Sequence, residues 1–280
     1  MWVLFKLPIN ILYEEVIVLH KLHATVLTDQ GKVRTNNEDN FYFDGKGYEE
    51  PQAFCHFSEK CSTRKKPIFA VFDGMGGESY GEIASSLAVQ TLRQHEKAIK
   101  HCKSEQLDAV VQEFVADANQ NIYQMAKKLQ GGNSGTTMAM LCFQGDQVYP
   151  FYIGDSRIYL YNGTDLYRLT SDHTLANHKL QTGIYTKEEA ELSSDRNKLI
   201  QFLGADLQHF TLPHAAQPPL RIYRGYRFLL CSDGLTDMCD DQTIYRVLSN
   251  GQPDMANELM QLAMDAGGVD NTTLILIEVL

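Results

Sequence analysis

The chain has 280 residues, of which 44% are hydrophobic and 21% are charged, and its formal net charge is −10 at pH 7. This composition is typical of a globular protein, and no break in it argues for two domains. The negative charge disfavours a nucleic acid or an anionic membrane as a partner. Six cysteines without a regular spacing predict reduced thiols and a cytoplasmic location.

Residues 1–22 are interpreted as an N-terminal extension ahead of one domain at 23–280. The apolar run near the start is interrupted by Lys6, Pro8, Glu14 and Glu15. It is therefore too broken to be a transmembrane helix, and it lacks a secretory cleavage site. Three roles stay open: an extra strand or helix, a membrane-surface segment, or residues translated from an upstream start codon.

The first half of the chain predicts strands, a long loop and two helices. Residues 23–43 have a strand–turn–strand pattern, and 44–66 is predicted to be an irregular loop. Two roles stay open for its basic end: docking of acidic, phosphorylated substrates, or a solvated surface without a partner. The five apolar residues of Ile68–Phe72 predict a strand buried on both faces. Helices are expected at 79–100, capped by Ser79, and from near 104 to the glycines at 131 and 132.

The second half predicts strands again, a mixed segment, and then two short helices before a final strand. Strands are expected at 136–143, 147–153, 158–161, 227–231 and 272–279. Within the mixed segment, Thr186 and Glu189 form a capping box for a short helix. The last two helices are placed near 241–248 and 253–266, the second opened by Pro253.

An aspartate stands at an end of three strongly apolar strands, each time before glycine or asparagine: Asp73, Asp233 and Asp270. A fourth strand is preceded by Glu38 and Asp39. Because strand ends of one sheet system lie close together, these carboxylates would repel each other and need cations. Without a thiolate or an imidazole in the cluster, the preferred ions are Mg²⁺ or Mn²⁺.

A two-metal carboxylate site suits the hydrolysis of a phosphoester by a metal-activated water. Arg34, four residues before Glu38, could supply the two-pronged clamp on phosphate that this reaction uses. The alternative for Arg34 is a surface salt bridge.

Seven segments, in this order and at these spacings, resemble the metal-dependent, type 2C-like (PPM) protein serine/threonine phosphatases. They are Arg34-Thr-Asn-Asn-Glu-Asp-Asn40, Val71-Phe-Asp-Gly-Met-Gly-Gly77, Ser134-Gly-Thr-Thr137, Gly154-Asp-Ser-Arg157, Leu169-Thr-Ser-Asp-His-Thr174, Cys231-Ser-Asp-Gly-Leu235 and Gly268-Val-Asp-Asn-Thr-Thr273. Met75 and the Asp-His-Thr segment resemble the bacterial branch of the family. The resemblance extends from about Ala24 to the C-terminus.

The resemblance implies an α+β fold, a four-layer α-β-β-α sandwich of two antiparallel sheets flanked by helices. Residues at about 171–204 correspond to the family's flap, which borders the site. The implied enzyme is a monomer that hydrolyses phosphoserine and phosphothreonine in proteins, with substrates that are targets of a partner Ser/Thr kinase. The alternative is a pseudophosphatase that serves as a phosphoprotein-binding or scaffold module.

By the same resemblance, two ions of Mn²⁺ or Mg²⁺ are held by four residues. Asp73 would bridge both ions, and the carbonyl of Gly74 would bind one of them. Asp233 and Asp270 would hold the other ion.

Three further residues complete the implied site. Glu38 would act through a metal-bound water, and Asp39 would support it without binding a metal directly. Arg34 would grip the substrate phosphate. The segments at 134–137 and 154–157 are expected to hold the sandwich together near the site rather than take part in the chemistry.

Two departures from the family pattern affect these expectations. Met75 stands where animal members carry a histidine that protonates the leaving group, so the general acid is unassigned. The segment at 130–134 contains no carboxylate, although bacterial members place a ligand for a third metal there. We therefore expect two tightly held ions, and a third site that is empty or filled only at high metal concentration.

Overall fold

The structure is a computed structural model that describes residues 18–76, 80–129, 134–206, 210–213 and 219–280. Its strands are β1 Lys21–Asp29, β2 Asn40–Phe43, β3 Phe54–Ser62, β4 Ile68–Phe72, β5 Gly74–Met75, β6 Gly135–Thr136, β7 Met138–Gln144, β8 Gln147–Ile153, β9 Arg157–Tyr161, β10 Leu166–Arg168, β11 Leu220–Arg221, β12 Arg227–Cys231 and β13 Thr272–Val279. Its α-helices are α1 Tyr80–His101, α2 Leu107–Lys128, α3 Leu175–Gln181, α4 Lys187–Leu192, α5 Asp233–Thr236, α6 Asp241–Asn250 and α7 Met255–Asp265.

Two antiparallel sheets form the centre of the molecule. One has the strand order β10-β9-β12-β13-β1-β3, and the other has the order β11-β8-β7-β4-β2. Helices α1 and α2 pack on the outer face of the five-stranded sheet, and α6 and α7 pack on the outer face of the six-stranded sheet. The predicted α+β sandwich of four α-β-β-α layers is therefore confirmed.

Strand β4 shows why the central strands are apolar throughout. Side chains alternate between the two faces of a strand. Ile68, Ala70 and Phe72 therefore pack under the helices, whereas Phe69 and Val71 enter the layer between the sheets. All five are fully buried, as predicted. Full burial of a large apolar side chain contributes about 1.5–3 kcal/mol, so the short strand is held firmly enough to fix the residue that follows it.

The prediction of an irregular loop over the whole of 44–66 is wrong, because β3 occupies 54–62 of it. This strand pairs with β1 over its whole length, from Asp29 opposite Phe54 to Lys21 opposite Ser62. It lies at the edge of the sheet, and most of its residues are exposed or only partly buried. Its sequence therefore lacks the strong alternation of a half-buried strand, while pairing with β1 satisfies its backbone groups.

The other predicted elements have close counterparts. Helix α4 begins after a capping box in which the Thr186 N–H donates to Glu189 and the Glu189 N–H donates to the Thr186 hydroxyl. The prediction that Pro253 opens α7 is wrong, since Asp254 is the residue before its first turn. The helix cap predicted at Ser79 and the glycine stop at 131–132 lie outside the described residues.

The predictions for residues 1–17 also lie outside the described part of the chain. Within the described ranges, no helix combines the length and the apolar character needed to cross a membrane.

Candidate metal centre

Most of the predicted site residues meet in one pocket at an end of the two sheets. This carboxylate pocket has a volume of about 250 Å³. Among the residues that line it are Arg34, Glu38, Asp73, Gly74, Asp233 and Asp270. Asp39 lies behind the pocket wall and is 1% exposed. The structure thus brings together residues that lie as far apart in the chain as 34 and 270.

Asp73 directly follows β4, and its backbone is fixed by the segment that leads into β7. The Asp73 N–H donates to the Thr137 hydroxyl at 3.0 Å, and the Asp73 carbonyl accepts from the Thr137 N–H at 2.8 Å. The hydroxyls of Thr137 and Ser156 lie 2.6 Å apart and share a hydrogen bond. These contacts agree with a supporting role for the segments at 134–137 and 154–157.

Gly74 lies where three backbone segments come together. Its N–H donates to the Glu38 carbonyl at 3.2 Å. A Cβ atom at this position would stand 2.3 Å from the Gly81 carbonyl oxygen and 2.5 Å from that of Glu38. Because real Cβ atoms do not come so close to backbone atoms, only glycine fits here.

Ser232 connects Asp39 with the strand that leads away from the pocket. Its hydroxyl donates to Asp39 Oδ2 at 2.7 Å and accepts from the Thr273 N–H at 2.9 Å. The other carboxylate oxygen of Asp39 is buried without a hydrogen-bond partner. A buried polar atom without a partner is costly, so it indicates either a protonated acid or a nearby cation.

Asn271 is a structural determinant that the sequence analysis did not single out. It is 5% exposed, and its Oδ1 atom accepts from the Glu38 N–H at 2.8 Å. Its Nδ2 donates to the carbonyls of Gln30 and Asn36, both at 2.8 Å. The side chain thus ties the loop that carries Arg34 and Glu38 to the turn that carries Asp270. The sequence feature that could have identified Asn271 is its position directly after Asp270, at the end of a strand.

Arg34 and Asp270 form an ion pair, with Nη2 and Oδ2 2.6 Å apart. The Arg34 side chain is 50% exposed, so it is open to the solvent on one side. The salt bridge left open as an alternative for Arg34 does exist. Its partner is itself a predicted metal ligand, which places the guanidinium at the edge of the pocket.

The carboxylates of the pocket crowd each other. Burial, reinforced by the neighbouring carboxylates, raises the pKa of Asp39 to about 7 and that of Asp233 to about 6. The same two causes raise the pKa values of Asp73 and Asp155 well above the ordinary range. The pKa of Glu38 is also raised, mainly because the side chain is partly buried. So many buried carboxylates cannot all be charged unless a cation offsets them.

Two aspartates of the pocket were missed as site residues. Asp155, expected only to support the sandwich, lines the pocket. It follows the apolar strand β8 and stands beside Gly154, the same signal that singled out the other strand-end aspartates. Asp237 also lines the pocket, four residues after Asp233, which is about one turn of helix.

The donor set fits hard divalent ions, because it consists of carboxylate and carbonyl oxygens. Within the described ranges, however, no three Asp, Glu, His or Cys side chains already form a ready set of ligands. One of the predicted ligands, Asp270, pairs with Arg34 instead, which offsets part of the negative charge of the pocket.

Comparisons with known proteins agree with this fold. The family model described as Protein phosphatase 2C matches residues 53–264. The serine/threonine phosphatase stp of Listeria innocua is 31% identical over 265 residues, which cover 92% of this chain and 96% of that protein. The structure of the Streptococcus agalactiae serine/threonine phosphatase superposes with a TM-score of 0.79 at 28% identity, covering 92% of this chain and 100% of that one.

A third relative is the catalytic domain of the serine/threonine protein phosphatase PstP, whose structure is in complex with two manganese ions. It superposes with a TM-score of 0.72 at 28% identity and covers 94% of this chain and 100% of that one. The chain belongs to the protein phosphatase 2C family. This confirms the family, the fold and the enzyme class that the sequence predicted, and its relatives include bacterial serine/threonine phosphatases.

Proposed function

We propose that the chain hydrolyses phosphoserine and phosphothreonine in proteins at a binuclear Mn²⁺ or Mg²⁺ centre in the carboxylate pocket. The observation that carries the proposal is the crowding of the buried Asp39 and the partly buried Asp73, Asp155 and Asp233 around one cavity, where desolvation and mutual repulsion raise the pKa of each. Such an arrangement costs stability unless a cation is bound, so it is best explained by a metal site.

The residues that would hold the ions are those predicted from the sequence. Asp73 would bridge the two ions, the Gly74 carbonyl would bind one of them, and Asp233 and Asp270 would bind the other. Glu38 acts through water. When bound, the ions activate a water for attack on phosphorus and offset the charge of the phosphate. Two ions are expected to be tightly held, and the PstP structure is a complex with two manganese ions.

The chain's own residues position the substrate and the ligands. The guanidinium of Arg34 orients the phosphate by charge-assisted hydrogen bonds, and its present contact with Asp270 keeps it at the pocket edge. Thr137 and Asn271 hold the backbones of Asp73 and Glu38 at fixed places. The side chain at Met75 lines the pocket without an ionisable group, so the proton donor for the leaving group is left to another residue or to water.

We also propose that the family domain spans 23–280 and that 171–204 is its flap, since Asn197 and Leu199 of this segment line the pocket. All six cysteines are free, which supports a reducing, cytoplasmic location. Its substrates are proteins that a partner Ser/Thr kinase phosphorylates. The active form is a monomer.

The substitution Asp73→Asn tests the proposal. The wild type should hydrolyse an aryl phosphate with Mn²⁺ and not with a chelator. Asp73→Asn should lose about a hundredfold or more in kcat/KM, since a bridging charge is lost. The variant should stay folded, because the raised pKa of Asp73 already favours a neutral side chain in the metal-free protein.

The matched control is Asp265→Asn, an exposed aspartate at the end of α7. It should keep full activity. Full activity in Asp73→Asn would overturn the assignment of Asp73. A wild type that binds no Mn²⁺ in titration calorimetry and hydrolyses neither aryl phosphate nor phosphopeptides would favour the phosphoprotein-binding alternative.

A further inference from the structure

A larger cavity opens directly from the carboxylate pocket. Its volume is about 680 Å³, and it lies between the flap helices α3 and α4 on one side and the start of α6 on the other. The two cavities share Asp155, Asn197, Asp233 and Asp237. The larger one is therefore continuous with the site where the phosphate is proposed to bind.

The cavity continues outward into a third one of about 430 Å³. These two share Arg168, Asp241 and Gln242. We call the two outer cavities together the side channel. A row of connected cavities is much longer than a phosphate needs, but it suits an extended segment of polypeptide.

Four positively charged side chains line the larger cavity, two from β9 and β10 and two from the flap, and each of them lies near a carboxylate. Arg157 and Arg168 both contact the carboxylate of Asp172. Lys187 lies 3.8 Å from the carboxylate of Glu191.

One flap cation reaches the opposite wall. Arg196 lies 3.9 Å from the carboxylate of Asp237. Since each of these four cations has a carboxylate partner, the wall that they form offers little free positive charge.

The opposite wall carries two aspartates at the start of α6. Asp240 accepts the Thr243 N–H at 2.8 Å as the helix cap, and Asp241 accepts the Tyr159 hydroxyl at 2.8 Å. Hydrogen bonding from Thr243 lowers the pKa of Asp240, so its carboxylate is charged at neutral pH. In the described part of the chain neither carboxylate forms an ion pair, and both are exposed to the channel.

We propose that the side channel binds the polypeptide that flanks the phosphorylated residue, and that Asp240 and Asp241 select a basic side chain in it. This inference rests on the proposed phosphatase function. Asp233, at the carboxylate pocket, and both Asp240 and Asp241 line the same cavity, so the selected lysine or arginine is expected within a few residues of the phosphorylated one.

The experiment compares phosphopeptides of one length in which a single arginine is moved from four residues before the phosphoserine to four residues after it. An all-alanine peptide and a glutamate series complete the set. At its best position, arginine should raise kcat/KM about five- to tenfold over alanine, the range of one or two exposed ion pairs. Glutamate at that position should lower it.

The variant Asp240→Asn/Asp241→Asn should reduce the arginine preference to about twofold or less. Asparagine keeps both hydrogen bonds, since it caps helices well and can accept the Tyr159 hydroxyl. The single variant Asp241→Asn, which leaves the cap intact, should lose part of the preference. Hydrolysis of an aryl phosphate, which has no flanking chain, reports folding and the state of the carboxylate pocket in each variant.

The matched control is Glu105→Gln/Glu113→Gln, which removes the same charge from two exposed positions, one just before α2 and one within it. It should keep the arginine preference. The proposal is overturned if the wild type shows no preference, if the Asp240/Asp241 variants keep it, or if the control loses it equally. If no phosphopeptide and no aryl phosphate is hydrolysed, it is the proposed function that fails.

Discussion

Above pH 7, replacing Asp39 with asparagine should stabilise the metal-free protein and at the same time weaken metal binding. Asp39 is 1% exposed, and one of its oxygens lacks a hydrogen-bond partner. Burial raises its pKa to about 7, opposed by the hydrogen bond from Ser232. Asparagine has the same shape and can still accept from Ser232, but it carries no charge.

The sign of the pH effect follows from the direction of the shift. The folded-state pKa lies above the unfolded-state value, so the folded protein binds more protons between about pH 4 and pH 7. The stability of the metal-free protein therefore falls as the pH rises through this range. Three units of pKa correspond to a cost of about 4 kcal/mol above pH 7, of which about 2 to 3 kcal/mol develops between pH 5 and pH 8.

The variant avoids this cost but leaves a buried amide N–H₂ group short of an acceptor, which costs about 1–3 kcal/mol at any pH. Comparing the two pH values removes that constant term. Both proteins are compared in a chelator. The free energy of unfolding of Asp39→Asn minus that of the wild type should rise by about 2 to 3 kcal/mol from pH 5 to pH 8. For a chain of this size the gain corresponds to about 4–8 °C in Tm.

The assay is urea and thermal unfolding of wild type, Asp39→Asn and Asp265→Asn at both pH values, with chelator and with Mn²⁺. The exposed Asp265 variant should show no pH-dependent gain. Added Mn²⁺ should stabilise the wild type more than Asp39→Asn, because ligand stabilisation depends on affinity. An equal difference between Asp39→Asn and wild type at the two pH values would refute the reasoning.

Two substitutions and one deletion test other parts of the structure. Arg34→Ala should lower kcat/KM for phosphopeptides roughly ten- to over a hundredfold, while the Mn²⁺ affinity measured by calorimetry changes little. Arg34→Lys should restore only part of the activity. Unchanged kinetics in Arg34→Ala would show that Arg34 forms a salt bridge and does not bind the phosphate. Asn271→Ala leaves three backbone groups without partners and should lower the free energy of unfolding in urea by about 2–4 kcal/mol. It should also raise the KM for Mn²⁺. A loss of stability below about 1 kcal/mol would show that water replaces the amide group. Deleting 47–61 removes most of β3 and should abolish the hydrolysis of aryl phosphate and of phosphoproteins together, with loss of the native circular dichroism. A folded, active deletion variant would show that the six-stranded sheet does not need its edge strand β3.

The local sequence was enough to place the central strands and the aspartates at their ends. Ile68–Phe72, Arg227–Cys231 and Thr272–Val279 lie where the apolar runs predicted them. Strands buried on both faces must be apolar throughout, and the polar turn residues beside them mark their limits. The carboxylates at these limits could therefore be predicted to meet before any contact was known.

The edge strand and the details of the pocket depended on contacts that no local pattern encodes. Strand β3 forms because β1, about thirty residues earlier, supplies its hydrogen-bond partners. Arg34 meets Asp270 across 236 positions of the chain, and Asn271 reaches Glu38 across 233. Asp155 looked like a turn residue until the fold placed it among other buried carboxylates. Local sequence sets which backbone and side-chain groups are available, but packing of distant segments decides which of them share one pocket and how far burial and neighbouring charge shift their chemistry.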